Sequence, residues 1–196
     1  MKIAVDIDDV LLDTMPVLLD FYNATYGKDI KYSDLQEYEY LGFMESNKEV
    51  FEDPFPLFNK RENMFKVKPR QDSQKYVHLL AKDHELIALT SRPKHIQQET
   101  EEQVRTFFPE IGEIVFNHAK TESTEIGTSE RSKAEICKEL NIHMLIDDQL
   151  RYTNDSHFSL KVLLMNQPWN QGETPENVIR VQSWQEIYET ILGMSS

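Results

Sequence analysis

Lys2-Ile3-Ala4-Val5-Asp6-Ile7-Asp8-Asp9-Val10 is the stretch that decides how the rest of the chain is read. A short apolar strand, Lys2–Val5, runs straight into two carboxylates two positions apart, Asp6 and Asp8. In an open α/β sheet, ligands bind at the carboxyl ends of the strands. Both carboxylates therefore approach one point where the chain leaves the sheet. One can attack or bind a metal while its neighbour exchanges a proton. In a chain with 34 acidic residues the same pair also reads as structural or solvated; its place after an apolar strand sets it apart.

Working outward, further strands are expected at Glu85–Leu89, Glu113–Phe116, His143–Ile146, Lys161–Met165 and Val178–Val181. They are short, nearly continuous in apolar residues and separated by helical stretches. That pattern belongs to a parallel sheet covered on both faces. Helices are expected at about Gln71–Lys82 and from Pro93-Lys94 to Phe107, with another between the fourth and fifth strands. Ser132-Lys133-Ala134-Glu135, Ser183-Trp184-Gln185-Glu186 and Ser33-Asp34-Leu35-Gln36 read as capping boxes. The fold class is α/β, a doubly wound parallel sheet with a small helical cap inserted after the first strand. Residues 1–15 and 70–196 form the core, and residues 16–69 the cap. Eleven of the twenty aromatic residues fall between 21 and 65, including Phe43, Phe51, Phe55, Phe58 and Phe65. They either pack the insertion's own core or, for one or two of them, face a substrate.

The other strand ends carry polar groups. The fourth strand finishes at Asp147-Asp148, which reads as a helix cap or as a second pair of acids. If this strand lies beside the first, the carboxylates crowd one edge, which is unfavourable unless a cation neutralises them. Hard oxygen ligands without a histidine–cysteine set point to Mg²⁺ rather than zinc. The second strand ends in Thr90-Ser91-Arg92-Pro93-Lys94. Thr90 offers a hydroxyl, and the amides that follow open a helix, where an anion is welcome; a plain helix cap is the alternative. Lys133 starts the helix before the fourth strand, where its charge opposes the helix dipole. It is either a solvated lysine or one placed for another purpose, and Arg131 shares its segment. The six histidines show no ligand spacing, and neither a Gly-x-Gly-x-x-Gly nor a Walker loop occurs.

Composition narrows the partners. The net charge of −13 argues against a polynucleotide, whose binding needs a basic face, and against an anionic membrane surface. A small anionic substrate stays compatible, because a metal ion can reverse the local field. The longest apolar runs are about four residues, far from the roughly 20 of a membrane span. One cysteine, Cys137, excludes an intrachain disulfide and reads as a buried core residue. Without a basic leader followed by an apolar segment, a cytoplasmic location is expected.

Taken in order, Asp6 and Asp8, Thr90, Lys133, and Asp147 with Asp148 resemble the four motifs of the haloacid-dehalogenase (HAD) superfamily of phosphotransferases. The resemblance implies that Asp6 attacks phosphorus and that Asp8 exchanges the protons. It also implies that Thr90 and Lys133 bind the phosphoryl oxygens. Mg²⁺ would be held by the Asp6 side chain, the Asp8 carbonyl and Asp147, with Asp148 orienting the shell. A narrower resemblance is to the cytosolic-type 5′(3′)-deoxyribonucleotidase branch. It rests on the helical insertion after the first motif, Phe55-Pro56-Leu57-Phe58, Thr90-Ser91, and Asn166-Gln167-Pro168-Trp169-Asn170. It implies that Ser91, Lys94 and Arg131 assist substrate binding, and that the substrate is a small phosphate ester such as a nucleoside monophosphate. A sugar phosphate is the alternative, and a non-catalytic HAD-like binding protein a third reading. The chain departs from the branch at Asp9, often glycine, and at Arg92, often proline.

Overall fold

The computed structural model describes residues 1–35, 58–117, 132–150 and 160–194. Its centre is a sheet of six parallel strands. These are β1 (Lys2–Val5), β2 (Glu85–Thr90), β3 (Glu113–Phe116), β4 (Met144–Asp147), β5 (Lys161–Met165) and β6 (Val178–Val181), in the order β3-β2-β1-β4-β5-β6. The order reverses between β1 and β4, which lie side by side with Val5 opposite Ile146. The crevice beyond that reversal is where an open α/β sheet places its ligand.

The two faces of the sheet follow the alternation of side chains along each strand. Ile3, Val5, Leu86, Ala88, Met144, Ile146, Leu163 and Met165 share one apolar core. Ala4, Ile87, Leu89, Leu145, Val162 and Leu164 share the other. The first core is covered by α3 (Ser73–Leu80) through Tyr76, Val77 and Leu80, and by α6 (Trp184–Met194) through Trp184, Ile187 and Ile191. Val104 of α4 (Gln97–Phe107) belongs to the same core. The second core is closed by Ile136 and Cys137 of α5 (Lys133–Glu139). Cys137 is a core residue, and burial pushes its thiol up to about 12. No helix among the described residues is long and apolar enough to cross a membrane.

Expected and observed elements differ in detail. Strand four begins at Met144 and includes Asp147, because Asp147 pairs with Leu164 of β5, while His143 lies before the ladder, its amide donating to Lys2 O and its ring Nδ1 accepting from Lys2 N. The box at Ser132 is complete: its hydroxyl accepts from Glu135 N, and Glu135 accepts from Ser132 N. At Ser183 only half forms, since the Glu186 carboxylate turns to the amide of Gln182 instead. Gln36, the partner of Ser33 in its expected box, lies outside the described residues; a 3-10 turn spans Tyr32–Asp34, and Asp34 accepts from Lys31 N. The segment after Pro93 opens with a 3-10 turn, Lys94–Ile96, before α4 begins. The helix expected between β4 and β5 falls largely on residues 151–159, outside the described residues.

The insertion leaves and rejoins the core at one place. Leu12 and Pro69 form an antiparallel bridge, Asp13 N donates to Lys68 O, and Arg70 N donates to Leu11 O. Its described parts are α1 (Thr14–Tyr26) and, near its return, α2 (Arg61–Met64). Gly27 ends α1 at φ 63, a left-handed position that glycine takes without a Cβ clash. Phe58 is buried against Phe21, so that ring is core. Phe43, Phe51 and Phe55 lie outside the described residues.

Candidate active site

The sheet register brings the two acidic strand ends together. Asp6 follows β1 and Asp147 ends β4, and Asp6 N donates to Ile146 O at 2.9 Å. Carboxylate oxygens of Asp6, Asp147 and Asp148 all lie within 4.8 Å of one another, and all three residues are buried. Lys133, the first residue of α5, reaches between them. Its Nζ is 2.7 Å from Asp147 Oδ2 and 3.0 Å from Asp6 Oδ2, with the side chain 1% exposed. A lysine at a helix start, against the dipole, is thus explained by the two carboxylates it meets.

The carboxylates are not equivalent. Asp6 is pushed up to about 7 by burial, reinforced by the charges of Asp147 and Asp8 and opposed by Lys133. Asp148 is raised well above its ordinary value by burial, and next by Asp147. Its Oδ2 accepts from Trp169 Nε1 at 2.9 Å, while its Oδ1 is buried with no hydrogen-bond partner among the described residues. Asp8 goes the other way. Burial alone would raise it, but the Arg92 guanidinium and its hydrogen bonds hold it below the ordinary carboxylate range. Thr14 Oγ1 donates to Asp8 Oδ1 at 2.6 Å.

Charge counting tests whether a metal fits. Among the described residues, Asp6, Asp8, Asp147 and Asp148 face two cations, Lys133 and Arg92. With all four carboxylates ionised, two negative charges are left over in that set, the charge of one divalent cation. An unpartnered carboxylate oxygen beside all-oxygen donors suits a hard cation such as Mg²⁺.

Thr90, the last residue of β2, is fully buried, and its Oγ1 accepts from Arg92 N. Ser91 is half-buried, and its Oγ accepts from Asn117 Nδ2 at 2.8 Å. Lys94 is exposed on the 3-10 turn and makes no ion pair with the cluster among the described residues. Arg131 lies outside the described residues. Asp9, the departure from glycine, has φ 57 and is buried, with its carboxylate accepting from Met15 N in the first turn of α1. Burial raises its carboxyl well above the ordinary value. Asp is one of the few residues that visit this left-handed region readily.

Two neighbours of the cluster carry no signal in the motif pattern. Asn117, past the end of β3, is set beside Ser91 only by the β2–β3 register. Arg92 meets Asp8, 84 residues away, only because β1 and β2 are parallel neighbours.

A family described as "5′ nucleotidase, deoxy (Pyrimidine), cytosolic type C protein" matches over residues 1–195. The chain belongs to this family. Its members' HAD-type sheet is also the fold of solved structures that align over nearly the whole chain. A haloacid dehalogenase-like hydrolase from Streptococcus pneumoniae, SP0104, aligns with TM-score 0.63 at 12% identity, covering 97% of each chain. The "HAD-hydrolase YfnB from Bacillus subtilis bound to magnesium" aligns with TM-score 0.57 at 14% identity, again over 97% of each. Among curated proteins, one from Halalkalibacterium halodurans is 23% identical over 187 residues, 94% of this chain and 89% of the relative. It is named "Putative nucleotidase BH1399". As a type C 5′ nucleotidase family member with this fold, the protein is a hydrolase of the HAD phosphatase and nucleotidase kind.

Proposed function

We propose that this hydrolase cleaves small phosphate monoesters through an aspartyl phosphate on Asp6, with (deoxy)nucleoside monophosphates as the first substrates to try. The observation that carries the reading is the meeting of Asp6, Asp147 and Asp148 around the buried ammonium of Lys133. In this account residues 16–69 are a cap over a core of residues 1–15 and 70–196.

The Asp6 carboxylate forms a bond to phosphorus as the ester P–O bond breaks, and Asp8 gives a proton to the departing alkoxide. Water then attacks phosphorus, Asp8 takes its proton, and inorganic phosphate leaves with Asp6 restored. Lys133 and the Thr90 hydroxyl face the phosphoryl oxygens, where negative charge is spread in the transition state. Ser91, Lys94 and Arg131 assist in holding the substrate. Asp8, ionised beside Arg92, is ready to accept the proton of water. Its proton for the first step is taken up from solvent as the phosphate dianion binds, because the added negative charge raises the carboxylate's proton affinity. The side chains of Asp6, Asp147 and Asp148 and the carbonyl of Asp8 would hold Mg²⁺. Bound there, it neutralises the crowded carboxylates, keeps Asp6 ionised and draws charge from the phosphoryl oxygens.

The test is phosphate release from a panel of nucleoside monophosphates and sugar phosphates, with Mg²⁺ or with EDTA. Activity is expected with Mg²⁺ and lost in EDTA, with nucleotides preferred and Asp6→Asn inactive. Equal rates on both substrate sets would remove the nucleotide preference. Full activity of Asp6→Asn would remove the nucleophile.

A further inference from the structure

Arg92 is 8% exposed, and every side-chain nitrogen of its guanidinium is spent. Nε lies 3.0 Å from Asp8 Oδ2 and 3.2 Å from Oδ1, and Nη2 lies 2.7 Å from Oδ1. Nη1 donates to Gln103 Oε1 at 2.9 Å and to Thr100 Oγ1 at 3.4 Å. Both acceptors belong to α4 and are fully buried. The Gln103 amide has only one orientation that works. Its oxygen must face the guanidinium, which cannot accept, and its Nε2 must face a carbonyl, which cannot donate. That carbonyl is Met64 O, at 2.7 Å, at the end of α2 where the insertion returns to the core.

We propose that Arg92, locked by Gln103, is the positioning residue for Asp8. Through Met64, the bracket also sets Asp8 relative to the returning arm of the insertion. The proposal rests on the reading of Asp8 as the proton-transfer group and names what aims it. The two oxygens of Asp8 are left unequal. Oδ1 receives Thr14 Oγ1, Arg92 Nη2 and the longer contact from Nε, whereas Oδ2 receives only Nε among the described residues. Oδ2 is thus the oxygen with a lone pair for a proton, and the side chain is 27% exposed to the crevice. A planar fork fixes this choice; a lysine, a point charge on a flexible stem, keeps the charge and loses the aim.

The readout is kcat/KM, which covers the steps through departure of the alcohol. It is compared across p-nitrophenyl phosphate, phenyl phosphate and an alkyl phosphate for wild type, Arg92→Met, Arg92→Lys, Gln103→Leu and Asp8→Asn. A misaimed acid matters most where the leaving group is poor. Arg92→Met is expected to lose about 100-fold on the alkyl ester and under about 10-fold on p-nitrophenyl phosphate, the lower end of what a positioned acid supplies. Arg92→Lys and Gln103→Leu are expected to show the same tilt with smaller losses, which keeps the test open if Arg92→Met folds poorly. A uniform loss across the series, or none, overturns the bracket while Asp8→Asn shows the tilt. If Asp8→Asn itself shows no tilt, the proton-transfer reading of Asp8 fails first and the bracket falls with it.

Discussion

Asp6 and Asp8 stand two residues apart in sequence, yet burial and neighbouring carboxylates raise one while a guanidinium lowers the other. Such a divergence between adjacent acids is how a site assigns a nucleophile and a proton carrier their separate tasks. Asp6 shares its cation, Lys133, with Asp147, as Asp8 has Arg92. Replacing Lys133 by Met removes the partner of two buried carboxylates at once. Stripping one member from a buried ion pair costs about 3–5 kcal/mol. Urea unfolding of Lys133→Met in EDTA is expected to reveal a loss of that size, with hydrolysis abolished even under saturating Mg²⁺. At this scale Asp6, Asp8, Thr90, Lys133, Asp147 and Asp148 stand out in the sequence as candidates, because each sits at or just past a strand end or at a helix start that local patterning marks. The contacts of Arg92 and Asn117 do not. Their value comes from partners across the sheet, and an arginine just before a proline looks the same in sequence whether it faces water or a carboxylate.

At the level of elements, the acidic cluster is the joint product of β1 and β4, whose parallel pairing sets Asp6 beside Asp147. Without a metal this juxtaposition opposes folding as the carboxylates ionise. Asp6 has its folded value near 7 against an ordinary 3.8, so the folded chain holds a proton that the unfolded chain has released over that range. Stability from this group is fully present below about 3.8 and is lost as pH rises through about 7. Asp148 and Asp9 act in the same direction. The melting temperature in EDTA is therefore expected to fall between pH 5 and pH 8. Added Mg²⁺ should raise it more at pH 8 than at pH 5, as binding to the folded state alone requires. Calorimetry over that range checks both signs. The strands that build the cluster were readable to within a residue, since buried parallel strands carry continuous apolar runs. The box at Ser183 misled because the pattern marks a donor and an acceptor three apart. It does not mark the competitor, Gln182 N for Glu186, that takes the bond.

For the whole molecule, the sheet order was legible as a class, and the structure adds the reversal between β1 and β4 that gathers the site. The net charge of −13 takes on a local meaning there. Four of its carboxylates meet at the crevice, with two cations among the described residues and room in that charge balance for a third, divalent one. The insertion is anchored at both of its ends by backbone hydrogen bonds, and Gln103 ties its returning arm to Arg92. The central claim is that Asp6 itself becomes phosphorylated. Asp8→Asn, which lacks the base for the water step, is the variant in which the intermediate accumulates. It should be mixed with a good-leaving-group aryl phosphate and Mg²⁺, quenched in acid, digested and examined by mass spectrometry. The account predicts one added phosphoryl group on the peptide containing Asp6, absent when Asp6 is also replaced by Asn. A phosphoryl group on another residue, or phosphate release with none on the chain at any time, would contradict it.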